Sequence, residues 1–165
     1  MIFKSYLLEG NFELFNNYKI FLFYGENQGI KKEFKDKLKT INKKKEILSL
    51  VQDDIIKNKD ILINEIVNKS LFETNKIILI EQATDKVLPI LEEIIDRIEE
   101  EKIFIFSDLL DKKSKLRNYF EKSKICGITA CYPDNEISIR KIITNKLKGF
   151  TGLTSQIINV IIQST

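Results

Sequence analysis

The 165-residue sequence contains no His and no Trp, only two Cys and only two Pro. Without an imidazole, Ser-His and Cys-His dyads, an imidazole general base and every His-ligated metal site are excluded. Cys126 and Cys131 are too few for a disulfide scaffold and lack the companions of a zinc site. Their spacing puts them on opposite faces of a regular strand, where both read as small packing residues. No apolar stretch exceeds about six residues, far short of the ~20 that a membrane span needs, and residues 1–10 lack the pattern of an export signal. A reducing cytoplasm without membrane contact is the expected setting. The 27 Lys and Arg against 24 Asp and Glu leave +3, so any nucleic-acid site would have to be local. The Lys-, Ile- and Asn-rich composition is also what an AT-rich genome produces, and runs such as Lys43 to Lys45 read as solvated loop charge.

What is present is an alternation of apolar period. Ile20 to Tyr24, Ile47 to Val51, Ile77 to Ile80, Ile103 to Phe106 and Ile125 to Cys131 are short continuous apolar runs, the pattern of strands buried on both faces. Between them lie stripes at helical spacing: Ile30, Phe34, Leu38 and Ile41; Leu62, Ile63, Ile66 and Val67 behind an expected Asp60 cap; Val87, Leu91, Ile94 and Ile98; Leu116, Tyr119 and Phe120. Strands joined through helices imply crossovers, hence an α/β fold with a five-stranded, mostly parallel sheet flanked by helices. Tyr132, Pro133 and Asp134 break the alternation, so the first domain is expected over residues 1–133 and a second, helical one over 134–165. There Ile139, Ile142, Ile143, Lys146 and Leu147 form one amphipathic helix closed by Gly149, and Thr154 caps another. That last helix is apolar around most of its circumference, which leads to the expectation that the chain is cut inside this second domain.

A strand, a Gly and a helix in succession are where α/β proteins hold phosphate. Against G-x-x-x-x-G-K-[ST], the stretch Gly25 to Lys32 keeps the first Gly as Gly25 and the Lys as Lys31, but places Ile30 at the second Gly and Lys32 at the Ser/Thr. Ile30 obstructs the wrapping of backbone around phosphate, and Lys32 repels the magnesium that a hydroxyl would bind. The third strand ends in Glu81-Gln82 where an NTPase has Asp-Glu, and a glutamine cannot act as a base. Spacing alone leaves two readings open: a degenerate phosphate loop, or a Gly25 that only turns a strand into a helix.

Several segments occur in an order that resembles the delta subunits of bacterial DNA polymerase III clamp loaders, AAA+ relatives that have lost nucleotide binding. They are Phe21-Leu22-Phe23-Tyr24-Gly25-Glu26, Ser70-Leu71-Phe72 before the strand from Lys76 to Ile80, and Ile103-Phe104-Ile105-Phe106 leading into Leu110-Asp111-Lys112-Lys113-Ser114-Lys115-Leu116. The likeness spans about residues 20–143. It implies an AAA+-like sheet ordered 5-1-4-3-2 and the start of a helical lid domain, without the C-terminal collar that joins loader subunits. It also implies a role in DNA replication with no intrinsic catalysis and no cofactor, as a subunit of a DNA-directed DNA polymerase holoenzyme. The implied partners are the sliding clamp, the delta prime and gamma/tau subunits of the loader, and primed DNA. The family's clamp contact carries over to Leu71 and Phe72, preceded by Ser70, with the charged Lys69 where relatives often add an apolar contact.

From the residues alone, Leu71 and Phe72 either project into a partner or close the core beneath their helix. Lys112, Lys113, Lys115 and Arg117 form a basic cluster that is either a solvated face or an approach to a phosphate backbone. Ser107, where an ATPase carries a polar sensor, reads as a strand-end residue. The rival functional readings are a divergent P-loop NTPase or kinase whose Lys31 still holds phosphate, and a stand-alone α/β interaction module.

Overall fold

Continuous apolar runs fold as interior strands because a parallel sheet covered by helices exposes neither face to water. The computed structural model describes residues 2–4, 12–43, 45–67, 76–152 and 154–163. Its strands are β1 (Ile2–Lys4), β2 (Ile20–Tyr24), β3 (Ile47–Val51), β4 (Ile77–Glu81), β5 (Lys102–Ser107) and β6 (Cys126–Ala130). They form one six-stranded sheet in the order β1-β6-β2-β5-β4-β3, with every pairing parallel. Five strands are therefore corrected to six. Ile2-Phe3-Lys4 is too short and too mixed in polarity to show as an apolar run, and it is held at the edge by β6, with Ile2 opposite Ile128. Without β1 the order is the 5-1-4-3-2 that the resemblance implied.

The helices are α1 (Gln28–Ile41), α2 (Gln52–Lys57), α3 (Asp60–Val67), α4 (Leu88–Ile94) and α5 (Lys115–Lys122), with short 3₁₀ segments at Phe12–Asn17, Asp85–Val87 and Ile95–Arg97. Alternation within the apolar runs sorts the sheet by chemistry. Phe21, Phe23, Phe104 and Phe106 point to one face and meet Phe3, Phe15 and the α1 residues Phe34 and Leu38. Phe23 stacks on Phe106 with ring centroids 5.0 Å apart and lies 4.9 Å from Phe34. Ile20, Leu22, Ile78, Ile80, Ile103, Ile105 and Ile128 point to the other face, beneath Leu62 and Ile66 of α3, Leu91 and Ile94 of α4, and Leu116 and Phe120 of α5. Gly127 makes room for the aromatic layer, since a Cβ there would lie 2.3 Å from the Phe21 ring. Cys126 belongs to the aliphatic layer and Cys131 to the aromatic one, both fully buried. Burial pushes both thiols up, that of Cys131 to about 12.

Helix starts are set by side-chain acceptors. Asn27 Oδ1 takes the Ile30 amide at 3.0 Å and so opens α1. Asp60 is already the first residue of α3; the acceptor ahead of it is Asn58 Oδ1, 3.1 Å from the Asp60 amide, so the cap lies two residues earlier than expected. At α5, Ser114 Oγ accepts from the Arg117 amide at 3.1 Å and donates to Asp85 Oδ1 at 2.6 Å. The same carboxylate accepts from the amides of Lys115 and Leu116, both at 3.0 Å. Burial alone would raise the Asp85 pKa, but the hydrogen bonds from Ser114, Leu116 and Lys115 outweigh it and hold the carboxyl below its ordinary value. The stabilisation this supplies is present above the unfolded-state pKa and is lost as pH falls through the lower folded-state value. Asp85→Ala is expected to cost about 1–2 kcal/mol at pH 7, the scale of a lost helix cap. Thermal unfolding from pH 7 to pH 3 should show the gap to wild type closing below about pH 4.

The chain divides into two compact units, Met1–Cys131 and Tyr132–Thr165. In the second, α6 (Glu136–Lys146) and α7 (Ser155–Gln163) pack on each other. Gly149 has φ +133, and Thr154 Oγ1 accepts from the Ile157 amide at 3.3 Å, as a cap of α7. No helix among the described residues is long and apolar enough to cross a membrane.

Candidate functional site

Parallel sheets present ligands at the C-terminal ends of their strands, beside the point where the strand order reverses. In this sheet that point lies between β2 and β5, and α1 leaves it directly after β2. A cleft of about 240 Å³ lies there, lined by Gln28, Lys31 and Lys35 of α1, Glu81 and Gln82 at the end of β4, and Phe106, Ser107 and Asp108 at the end of β5. The structure thus brings together the two halves of the sequence motif, Lys31 from the loop and Glu81-Gln82 from the third expected strand.

The loop itself is folded shut. Gly25, with φ +132, leaves β2 so close to β6 that a Cβ would lie 2.2 Å from the Cys131 carbonyl oxygen. Its amide donates to the Asp108 carbonyl at 3.2 Å, and the Asn27 amide to the Cys131 carbonyl at 3.0 Å. Helix α1 begins at Gln28, so the amides of Ile30 and Lys31 are already bonded to Asn27. In a functional phosphate loop such amides face the anion. Ile30 packs against the aromatic layer, and Lys32 is exposed to solvent.

Lys31 is 3% exposed, and its Nζ donates to the Ser107 carbonyl at 2.9 Å and to Asp108 Oδ1 at 3.2 Å. Gln28 Nε2 donates to the same Asp108 oxygen at 3.0 Å. The hydrogen bond from Gln28, then that from Lys31, holds the Asp108 carboxyl below the usual carboxylate range. Glu81 is likewise taken: Lys35 Nζ lies 2.6 Å from its Oε2 and 4.6 Å from the centre of the Phe106 ring. Gln82 sits at φ +56, a left-handed backbone that non-glycine residues adopt at a cost. Ser107 Oγ donates to the Ala83 carbonyl at 2.5 Å, so it ties β5 to the exit of β4 and is not free to sense a ligand. Among the described residues, no buried side-chain nitrogen or oxygen lacks a hydrogen-bond partner. A magnesium nucleotide does not fit these residues as they stand: the Lys31 ammonium, the amides of Gly25, Asn27, Ile30 and Lys31, and the Glu81 carboxylate are engaged within the protein.

Sequence reasoning missed Asp108, Gln28 and Lys35. Gln28, Lys31 and Lys35 recur at i, i+3 and i+7 and so share one face of α1, a signal that was present. Asp108 carries none, because its contact with Lys31 spans 77 positions and depends on β2 lying beside β5.

Within the basic cluster, Arg117 is placed differently from the three lysines. Lys112, Lys113 and Lys115 are exposed around the turn into α5. The Arg117 guanidinium instead donates to Glu121 at 2.8 Å and to the Leu110 carbonyl at 3.2 Å, over the Tyr24 ring at 5.0 Å. The run Leu110 to Leu116 has a local structural cause as well. Leu110 and Leu116 are buried, Asp111 Oδ1 accepts from the amides of Lys113 and Ser114, and Ser114 caps α5. Ser70, Leu71 and Phe72, on which the clamp contact was expected, lie outside the described residues.

No protein-family model matches the sequence, and no curated protein matches it. Among solved structures, the chain is similar to the DNA clamp loader delta protein of Bacillus subtilis, with a TM-score of 0.63 and 11% identity over 87% of this chain and 47% of that one. It is also similar to Trip13 of Rhizobiales, with a TM-score of 0.55 and 16% identity over 90% of this chain and 58% of that one. The chain thus spans about half the length of these solved proteins. The likenesses establish an AAA+-like fold.

Proposed function

We propose that this chain is the clamp-gripping part of a clamp-loader delta subunit, a protein of DNA replication that binds the sliding clamp and helps open it for loading onto primed DNA. In this reading it works in the cytoplasm within a DNA polymerase III holoenzyme, beside the other loader subunits, and breaks or forms no covalent bond itself. Residues 134–165 are then the start of the lid domain. The observation that carries the reading is the closed cleft: an AAA+-like sheet whose phosphate lysine is bonded to its own strand end is suited to gripping a partner rather than turning over a nucleotide. The likeness to the Bacillus subtilis protein supports it. Leu71 and Phe72 are the proposed contact, and the solvent-exposed Lys112, Lys113 and Lys115 are the proposed approach to a phosphate backbone. Gripping favours an opened ring only where the pair binds that form more tightly than the closed one.

The test is retention of purified sliding clamp on the immobilised chain, run beside an ATP titration. Clamp retention without saturable ATP binding is expected. Magnesium-dependent ATP binding that disappears in Lys31→Ala would replace this reading with the nucleotide-enzyme one.

A further inference from the structure

We propose that Asp108 is a built-in counter-anion that occupies the phosphate seat of the cleft and keeps it closed to outside anions. The inference does not depend on the clamp contact, because it concerns only the groups of α1 and of the ends of β4 and β5 that line the cleft. Asp108 Oδ1 is the point on which Lys31 Nζ and Gln28 Nε2 converge, at 3.2 and 3.0 Å, beside the first turn of α1. Lys31 is the residue that the loop spacing aligns with the phosphate lysine, and its side chain is only 4% exposed. The Asp108 side chain is 81% exposed, so the carboxylate reaches in from the surface as a ligand would.

The charges in the cleft agree with this assignment. Lys31 and Lys35 are balanced by Glu81 and Asp108, which leaves no net charge to attract phosphate. Truncating Asp108 leaves the lining with one excess positive charge. It also leaves two donors, the Lys31 ammonium and the Gln28 amide, facing the space the carboxylate filled. The ammonium then keeps only the Ser107 carbonyl of its two acceptors among the hydrogen bonds described. A cation left short of acceptors takes one from water or from an anion, and the excess positive charge favours the anion at low ionic strength. The ligand class is a small phosphate or pyrophosphate anion, not a whole magnesium nucleotide, because the amides of Asn27, Ile30 and Lys31 remain bonded to Cys131 and Asn27.

Isothermal titration of the 165-residue chain with inorganic pyrophosphate at low ionic strength tests this. Wild type is expected to show no saturable binding, and Asp108→Ala to bind at least roughly tenfold more tightly than wild type. The Asp108→Ala/Lys31→Ala double variant is expected to lose that gain. Asp108→Asn, which removes the charge but leaves the seat partly filled, should fall between wild type and the alanine variant, and it decides the matter if the alanine variant unfolds. Absence of pyrophosphate binding in the folded variants overturns the proposal, as does equal binding by wild type or persistence of the gain without Lys31.

Discussion

Alanine at both Leu71 and Phe72 is expected to weaken clamp binding by roughly a hundredfold to ten-thousandfold, with the fold intact. The magnitude follows from burial: a Leu or Phe side chain moved from water into a partner's pocket contributes ~1.5–3 kcal/mol, so losing both removes ~3–6 kcal/mol. Apolar anchors in a desolvated pocket dominate such contacts, while charged neighbours such as Lys69 and Glu73 mainly affect the rate of encounter. Surface plasmon resonance against immobilised clamp measures the effect, and circular dichroism of both chains checks the fold. A dissociation constant within about threefold of wild type would move the contact elsewhere. A loss of helical signal in the variant would instead assign the pair to the core.

The second large effect is on stability. Gly25→Ala is expected to destabilise the first unit by about 3 kcal/mol or more, through two additive penalties. A side chain at φ +132 enters backbone space that L-residues avoid, at ~1–2 kcal/mol, and its Cβ meets the Cys131 carbonyl, where relief requires backbone to move at a further ~1–3 kcal/mol. At ~2–4 °C per kcal/mol for a chain of this size, the thermal midpoint should fall by roughly 10 °C. A midpoint within about 2 °C of wild type would show that the junction of β2, β6 and α1 is not fixed as described. The same substitution at Gly149, where a Cβ would meet nothing within 4 Å, separates the two penalties, because φ is +133 there too.

Much of the fold was legible because its strands are buried on both faces, so that apolar content alone outlines them. Ile20–Tyr24 and Ile47–Val51 have the bounds the runs predicted, and the others differ by a residue or so at their ends. The strand that escaped notice, Ile2–Lys4, is short and lies at the sheet edge. Helix α2 was missed for a different reason: it follows β3 without a turn residue, and Val51 provides no side-chain cap. What fixes its position is tertiary, with Ile55 in the aliphatic layer and Gln52 Oε1 accepting from the Thr84 amide at 2.7 Å. Part of the cleft's lining was legible, and its wiring was not. Spacing singled out Lys31, Glu81 and Gln82 while leaving open whether they belong to a degenerate phosphate loop, and their partners Asp108 and Lys35 are determined by strand order and helix facing. Arg117 was grouped with its lysine neighbours on sequence proximity, whereas its place over Tyr24 arises from packing of α5 against the sheet.

Cys126 and Cys131 stand in different layers, one beneath the aliphatic helices and one among the phenylalanines, and neither thiol ionises readily while enclosed. Alkylating reagents therefore reach each sulfur only when its own layer parts. The pair amounts to two internal clocks that time separately how often each side of the molecule breathes.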